Sequence, residues 1–107
     1  MSLDIYLVCP CCKQTAFEHN ITHNLAKMAD EAGIYEVTWR ANERECKAGE
    51  LVERLEAGLQ RLKNDPVKFR AFDAPNGWGL YEHLVTFVEQ LLGACRDYPE
   101  CSVECSR

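Results

Sequence analysis

A stretch near the C-terminus carries apolar residues at helical spacing, and it constrains the fold more than any other feature of the chain. Its apolar positions recur every three or four residues, at Leu80, Leu84, Phe87, Val88, Leu91 and Leu92. Residues at such intervals lie on one face of an α-helix. The spacing therefore predicts a helix over 78–96 that stops before Pro99. Because an apolar helix face has to be covered, the rest of the chain must supply a second layer.

A shorter helix is predicted upstream, over 22–32. Its apolar residues repeat at helical spacing from Ile21 onward. Asn20 or Thr22 is suited to the N-cap position, because either side chain can accept a hydrogen bond from a free backbone N–H group of the first turn. Gly33 is a natural stop, since glycine tolerates the left-handed conformation that ends many helices.

The middle of the chain predicts one more long helix and leaves two segments less defined. A helix over 48–64 follows from its leucine repeat, and Pro66 begins a short helical turn, where a missing N–H group costs nothing. The segment 34–40 is compatible with a short strand, a loop or a helical turn. The polar segment 41–48 is predicted to be a loop or the lead-in to the helix.

Both ends of the chain have the character of β-strands. Leu3–Val8 is rich in β-branched and aromatic residues, and after a turn Thr15–Glu18 can return as the second strand of a hairpin. Alternation over Cys101–Ser106 predicts a last strand that pairs with the first. The fold class is therefore predicted to be α+β: one domain over 1–107, with a small antiparallel sheet from the terminal strands and three packed helices.

Composition excludes two classes of partner. The 107 residues carry a net charge of −5, with 12 scattered basic residues that form no stripe. Because phosphate neutralisation supplies most of the affinity for nucleic acids, DNA or RNA binding is not expected. No run approaches the roughly 20 apolar residues of a membrane span, and no secretory signal opens the chain. A cytoplasmic location without membrane contact is expected; the oligomeric state is left open.

Seven cysteines suggest a metal site or free thiols. Their odd number and the expected reducing compartment disfavour a disulfide framework. Cys9, Cys12, His19 and His23 follow a C-x2-C-x6-H-x3-H pattern, which offers the four nitrogen and sulfur ligands that zinc takes. The six-residue gap is short beside the roughly twelve residues of a two-Cys, two-His finger. The pattern predicts a zinc-stabilised interaction domain as one alternative.

The remaining cysteines admit other arrangements. If the terminal strands pair, Cys101 and Cys105 lie near the turn and could complete a metal site. Cys46 and Cys95 are compatible with small apolar core residues. A thioredoxin-like redox pair is disfavoured, because that pair sits at a helix N-terminus within a βαβ unit, and the residues after Cys12 do not read as such a helix.

Polar and aromatic residues gather at two predicted helix starts. The candidate ligand-binding residues are Asn20, Thr22, His23, Asn24, Trp78, Tyr81 and Glu82. Free N–H groups at helix N-termini favour anions, and an indole, a phenol, amides and an imidazole suit a pocket for a small polar or nucleotide-like ligand. The alternative is that these residues only cap helices and fill the core.

An enzyme is a further alternative. His23 with Glu82 or His83 could act as acid and base, and Cys11 or Cys12 could act as a nucleophile. No known catalytic spacing supports this reading, since the chain has no G-x-S-x-G, phosphate-binding loop, dinucleotide-binding glycine pattern or H-E-x-x-H.

Two motifs resemble a family of small phage, prophage and bacterial proteins. The motifs are the run NITHNLxxMA…AGIY, at 20–35, and PNGWGxYE, at 75–82. The resemblance extends to Trp39-Arg40 and to the C-terminal end, and it names no established activity. It implies that Asn20, Thr22, His23, Asn24, Trp78, Gly79, Tyr81 and Glu82 belong to one shared site or structural core. It also implies a phage-encoded protein whose partner is a small host molecule or a host protein, with the cysteine-rich turn as a less characteristic feature.

Overall fold

The computed structural model describes residues 2–43 and 46–107. Strands β1 (Ser2–Val8), β2 (Thr15–Thr22) and β3 (Ser102–Ser106) form an antiparallel sheet in the order β2-β1-β3. Ile5 of the central strand lies between His19 on one side and Cys105 on the other. The predicted pairing of the terminal strands and the α+β class are therefore confirmed.

Among the residues described, five α-helices follow the sheet's first hairpin. Three short 3-10 segments, His23–Leu25, Ala41–Glu43 and Ala48–Leu51, add to them. The helices are α1 (Ala26–Glu31), α2 (Tyr35–Thr38), α3 (Val52–Asn64), α4 (Pro66–Arg70) and α5 (Tyr81–Asp97). Within the predicted lead-in 41–48, positions 44 and 45 lie outside the described residues. No helix in the described part of the chain is long and apolar enough to cross a membrane.

The core lies between one face of the sheet and the helices. Leu3, Ile5 and Leu7 are fully buried, whereas the alternate residues of β1 are only half-buried, as expected for a sheet with helices on one face. The apolar face of α5, including Phe87, covers these side chains. The Tyr81 hydroxyl donates a buried 2.6 Å hydrogen bond to the Leu62 carbonyl, which links α5 to α3.

Three local predictions differ from the structure or are resolved by it. Strand β2 continues to Thr22, so Asn20 lies in the strand and only Thr22 caps the following turn. Of the alternatives for 34–40, the structure adopts a helical turn. Helix α5 begins at Tyr81 rather than at 78, because Gly79 has a φ of 120°, which a helix cannot contain.

Candidate functional site

The two sequence motifs meet in space. The loop 73–79 packs on the segment that joins β2 to α1, and the Asn24 side-chain amide donates a 2.6 Å hydrogen bond to the Trp78 carbonyl. Gly79 is buried, and a Cβ at that position would lie 3.0 Å from the Asn24 Cβ and 3.1 Å from the Thr22 methyl. Only glycine allows this close approach.

Hydrogen bonds within the loop 73–79 hold its shape. The Asp73 carboxylate accepts a 2.7 Å bond from the Tyr81 N–H, and the Asn76 side-chain oxygen accepts a 3.0 Å bond from the Trp78 N–H. The Ala74 N–H donates to the Gly79 carbonyl at 3.0 Å and closes the loop. The loop is therefore anchored at its base, through its middle and against Asn24.

Trp78 stands out from this anchored loop. Its side chain is 72% exposed, whereas Trp39, the other tryptophan, is 2% exposed. Burying an indole stabilises a protein, so an exposed tryptophan on an ordered loop is unusual. Tryptophan is also among the side chains that contribute most to binding surfaces. Of the two aromatic residues predicted to bind a ligand, Trp78 is exposed, whereas Tyr81 is 8% exposed.

His23, next to Asn24 in the chain, contacts the buried Trp39. Its Nδ1 accepts a 2.9 Å hydrogen bond from the indole N–H of Trp39. This bond assigns the proton of the neutral imidazole to Nε2. Tyr35 stacks on Trp39, with ring centroids 5.9 Å apart and planes 10° from parallel. The half-buried imidazole thus orients one side of the Trp39 ring.

Tyr81 and Glu82 have structural partners. Tyr81 is 8% exposed and its hydroxyl bonds to α3, so it is a core residue and does not face a ligand. Glu82 is exposed and forms a 2.7 Å ion pair with Arg70, whose guanidinium lies over the Tyr81 ring. The prediction that both residues face one pocket with Trp78 has no support in these contacts.

The chain's own side chains occupy both helix starts that were predicted to favour anions. The Asp73 carboxylate takes the first N–H of α5, and Nδ1 of His83 accepts from the Leu80 N–H at 3.2 Å. At the other start, the Thr22 hydroxyl accepts from the Asn24 N–H at 3.3 Å. Because Asp73 already places a negative charge at the α5 N-terminus, an anion there would be repelled. Asn20 lies on the edge strand, where its N–H bonds to the adjacent His19 ring.

The acid–base candidates of the enzyme alternative contact different groups. His23 accepts from Trp39, His83 accepts from the backbone of its own helix start, and Glu82 pairs with Arg70. None of these contacts joins one candidate to another. These contacts therefore do not assemble His23, His83 and Glu82 into the acid–base pair that this alternative requires.

The four predicted zinc ligands are not brought together. Cys9 and Cys12 flank the β1–β2 turn, but His19 and His23 lie on and just after an extended strand, where four residues span about 13 Å. His19 packs against Phe87 of α5, at 5.2 Å between ring centroids. Over residues 2–43 and 46–107, no group of three His, Cys, Asp or Glu side chains is placed to hold a metal ion.

The other cysteines occupy separate positions. Cys105 pairs with Ile5, at the end of β3 remote from the turn. Cys95 is buried in α5, and burial, together with the nearby Cys46, raises the pKa of its thiol to about 12. A thiol with that pKa stays protonated at neutral pH, so Cys95 behaves as the small apolar residue that was predicted.

No family, no curated protein and no solved structure matches this chain. The resemblance of its motifs to phage and prophage proteins stays a prediction. A function for the chain has to be inferred from the contacts around Trp78 and from the cysteine turn.

Asp73, Asn76 and Trp39 belong to the site and were not among its predicted residues. Asn76 precedes a glycine in a strong turn, and asparagine in turns often bonds to the backbone two residues on, so this signal was present in the sequence. The bond from Trp39 to His23 joins residues 16 positions apart, and no local pattern indicates it.

Proposed function

We propose that the protein is a binding module that recognises a small, flat, polar ligand of nucleotide-like character on the surface around Trp78. The observation that carries this proposal is the 72% exposure of an indole on a loop that the hydrogen bonds described above hold in place. A fixed aromatic face binds a planar ring without first ordering a flexible loop, which lowers the entropic cost of binding.

The groups around the indole supply polarity without positive charge. Asn24 and Asn76, which hydrogen-bond to the Trp78 backbone, are exposed amides. A side-chain amide offers both a donor and an acceptor, so it can form hydrogen bonds with the edge of a heterocyclic ring. Because Asp73 occupies the nearby helix start, recognition of the ring rather than of a phosphate group is the form we favour. The resemblance to phage and prophage proteins makes a metabolite or signal molecule of a bacterial host the partner that we propose.

Replacing Trp78 by alanine is expected to weaken binding roughly 5- to 150-fold, because a stacked base contributes about 1–3 kcal/mol. Isothermal titration with nucleosides and the matching nucleotides measures the affinity. If the protein contacts the base and not the phosphate, a nucleoside and its nucleotide should bind with equal affinity. Trp78→Phe should retain part of the binding. Val67→Ala is the control for the loss of an exposed apolar side chain, because Val67 is 81% exposed and lies outside the loop 73–79, in α4.

Intrinsic fluorescence gives a second readout of the same titration. The buried Trp39 is screened from solvent, so a ligand on Trp78 should quench the solvent-exposed part of the emission and leave the remainder unchanged. Asn24→Ala removes the amide that holds the Trp78 carbonyl, and as a positioning change it should weaken binding less than Trp78→Ala. Absence of heat and quenching with every nucleoside and nucleotide would refute the nucleotide-like ligand.

A host protein is the second candidate partner, favoured by the same exposed side chain. Exposed tryptophans are enriched among the residues that dominate protein–protein binding energies. To test this candidate, the native chain, Val67→Ala and Trp78→Ala are each used to capture proteins from a host extract. A protein that the first two retain and Trp78→Ala does not is then identified, purified and titrated. Equal affinity of the purified protein for Trp78→Ala and the native chain would contradict the candidate.

A further inference from the structure

The turn between β1 and β2 folds around the sulfur of Cys9. The Cys9 N–H donates to the Gln14 carbonyl at 2.8 Å, and the Lys13 N–H donates to the Cys9 carbonyl at 2.9 Å. Lys13 adopts a φ of 62°, the left-handed conformation that a side chain rarely takes. The chain thereby curls back and brings Cys9, Cys11 and Cys12 into one closed turn.

Hydrogen bonding from the backbone and side chain of Cys12, and then from those of Cys11, lowers the pKa of the Cys9 thiol below its ordinary value. The donors come from a turn rather than from a helix start, so a nucleophilic thiolate is favoured without the βαβ setting of thioredoxin-like proteins. Cys12 and Cys11 are exposed to solvent, and Cys9 is half-buried.

A third strand brings another thiol to the same place. The β1–β3 register ends with Val8 opposite Ser102, and Cys9 and Cys101 are the next residues of the two chain segments beyond that pair. Cys101 is 7% exposed, and its pKa is raised by burial and by the charges of Cys9 and Cys12. The thiols are therefore unequal: the pKa of Cys9 is lowered, Cys12 is exposed to solvent, and Cys101 is buried with a raised pKa.

We propose that Cys9 and Cys12 form a redox-active dithiol that exchanges with small disulfides. The Cys9 thiolate attacks one sulfur of a disulfide RSSR, forming a Cys9–SR bond and releasing RS⁻. Cys12 loses its proton to solvent and attacks the Cys9 sulfur, forming the Cys9–Cys12 bond and releasing the second RS⁻. The protein loses two protons and two electrons, and RSSR is reduced to two thiols.

The proposal is independent of the Trp78 surface, which lies at the other end of β2. Along β2, Thr15 follows the turn and Thr22 contacts Gly79, and the intervening strand spans about 23 Å. Failure of either proposal would leave the other intact.

The test exposes the reduced full-length protein to glutathione disulfide, quenches the reaction with acid and maps the products by mass spectrometry. The expected product has lost two hydrogens and carries a Cys9–Cys12 link. Cys12→Ser should stop at glutathione joined to Cys9, and Cys9→Ser should slow the reaction at least tenfold. Cys11→Ser, the matched control in the same turn, should still form the link.

Two further measurements test whether the folded turn, and not the C-x-x-C spacing alone, favours the reaction. The rate should reach half its maximum at a pH below the ordinary thiol pKa, because the lowered pKa of Cys9 increases its thiolate fraction near neutrality. In urea, where the turn is lost, the preference for the Cys9–Cys12 link should disappear. Retained circular dichroism shows that each variant is folded.

Three outcomes would overturn the proposal. The first is loss of the link in Cys11→Ser, and the second is an unchanged product in Cys12→Ser. The third is a native mass that carries one zinc ion per chain, with thiols that do not react until a chelator removes the ion. That third result would support the zinc-stabilised domain, with ligands other than the set of Cys9, Cys12, His19 and His23.

Discussion

Replacing Gly79 by alanine is expected to lower the free energy of unfolding by roughly 2–6 kcal/mol. Gly79 has a φ of 120°, and holding a side-chain-bearing residue in such a sparsely populated conformation costs about 1–3 kcal/mol. The added Cβ would also lie 3.0 Å from the Asn24 Cβ, 3.1 Å from the Thr22 methyl and 3.3 Å from Leu25 Cγ. Overpacking of this kind costs about 1–3 kcal/mol more.

Gly77→Ala is the matched control for this prediction. Gly77 belongs to the same loop and has a φ of 77°, but nothing lies within 4 Å of the Cβ that alanine would add. It should therefore lose only the conformational part, about 1–2 kcal/mol. Urea unfolding measures both variants, and a shift in midpoint at constant slope reports stability alone. Equal losses at the two positions would contradict the close packing of the loop on Asn24 and Thr22.

The Gly79 prediction also bears on the proposed function. If the loop is displaced from Asn24, the Trp78 indole loses its fixed orientation, and ligand affinity should fall even in the fraction of Gly79→Ala that is folded. Gly77→Ala keeps the Asn24 contact and should bind almost as the native chain does. Stability and affinity measured on the same two variants therefore test the fold and the function separately.

Elements with a repeating pattern could be predicted from the sequence. The α5 residues Leu84, Phe87 and Leu91 are spaced at helical intervals, and all three are buried. Gly33 ends α1 as predicted: with a φ of 80°, it lets the Ile34 N–H reach the Ala29 carbonyl. In these cases the local pattern and the tertiary fold favour the same conformation, so the pattern was sufficient.

The site was harder to predict, because long-range contacts decide it. Trp78 and Tyr81 are both aromatic, and nothing in the sequence says that the first is exposed while the second bonds to Leu62. The H-x3-H spacing suggests a shared metal when it lies on a helix. Because β2 extends past His19 to Thr22, the same spacing separates His19 and His23 along a strand. Because the sequence predicted that this strand ends at Glu18 and not at Thr22, His19 and His23 were expected to share a metal ion.

Replacing Gly58 by alanine is expected to destabilise the protein by about 1–2 kcal/mol, although alanine is the better helix former. Gly58 is buried in α3, and its added Cβ would fall well inside van der Waals contact of the Ile34 Cγ2 methyl and 3.2 Å from the Ala32 carbonyl oxygen. Ile34 is fully buried, so its methyl can move little. The overpacking cost of about 1–3 kcal/mol should exceed the gain in helix propensity of about 1 kcal/mol.

Gly93→Ala in α5 provides the opposite expectation on the same chain. Nothing lies within 4 Å of the Cβ that alanine would add there, so only the helix-propensity term applies. That variant should gain about 1 kcal/mol. The urea midpoints of the two variants should therefore move in opposite directions from the native value. A gain in both would mean that α3 does not approach Ile34 closely, and that the α1–α2 segment, which also carries Trp39, is packed differently against the long helices.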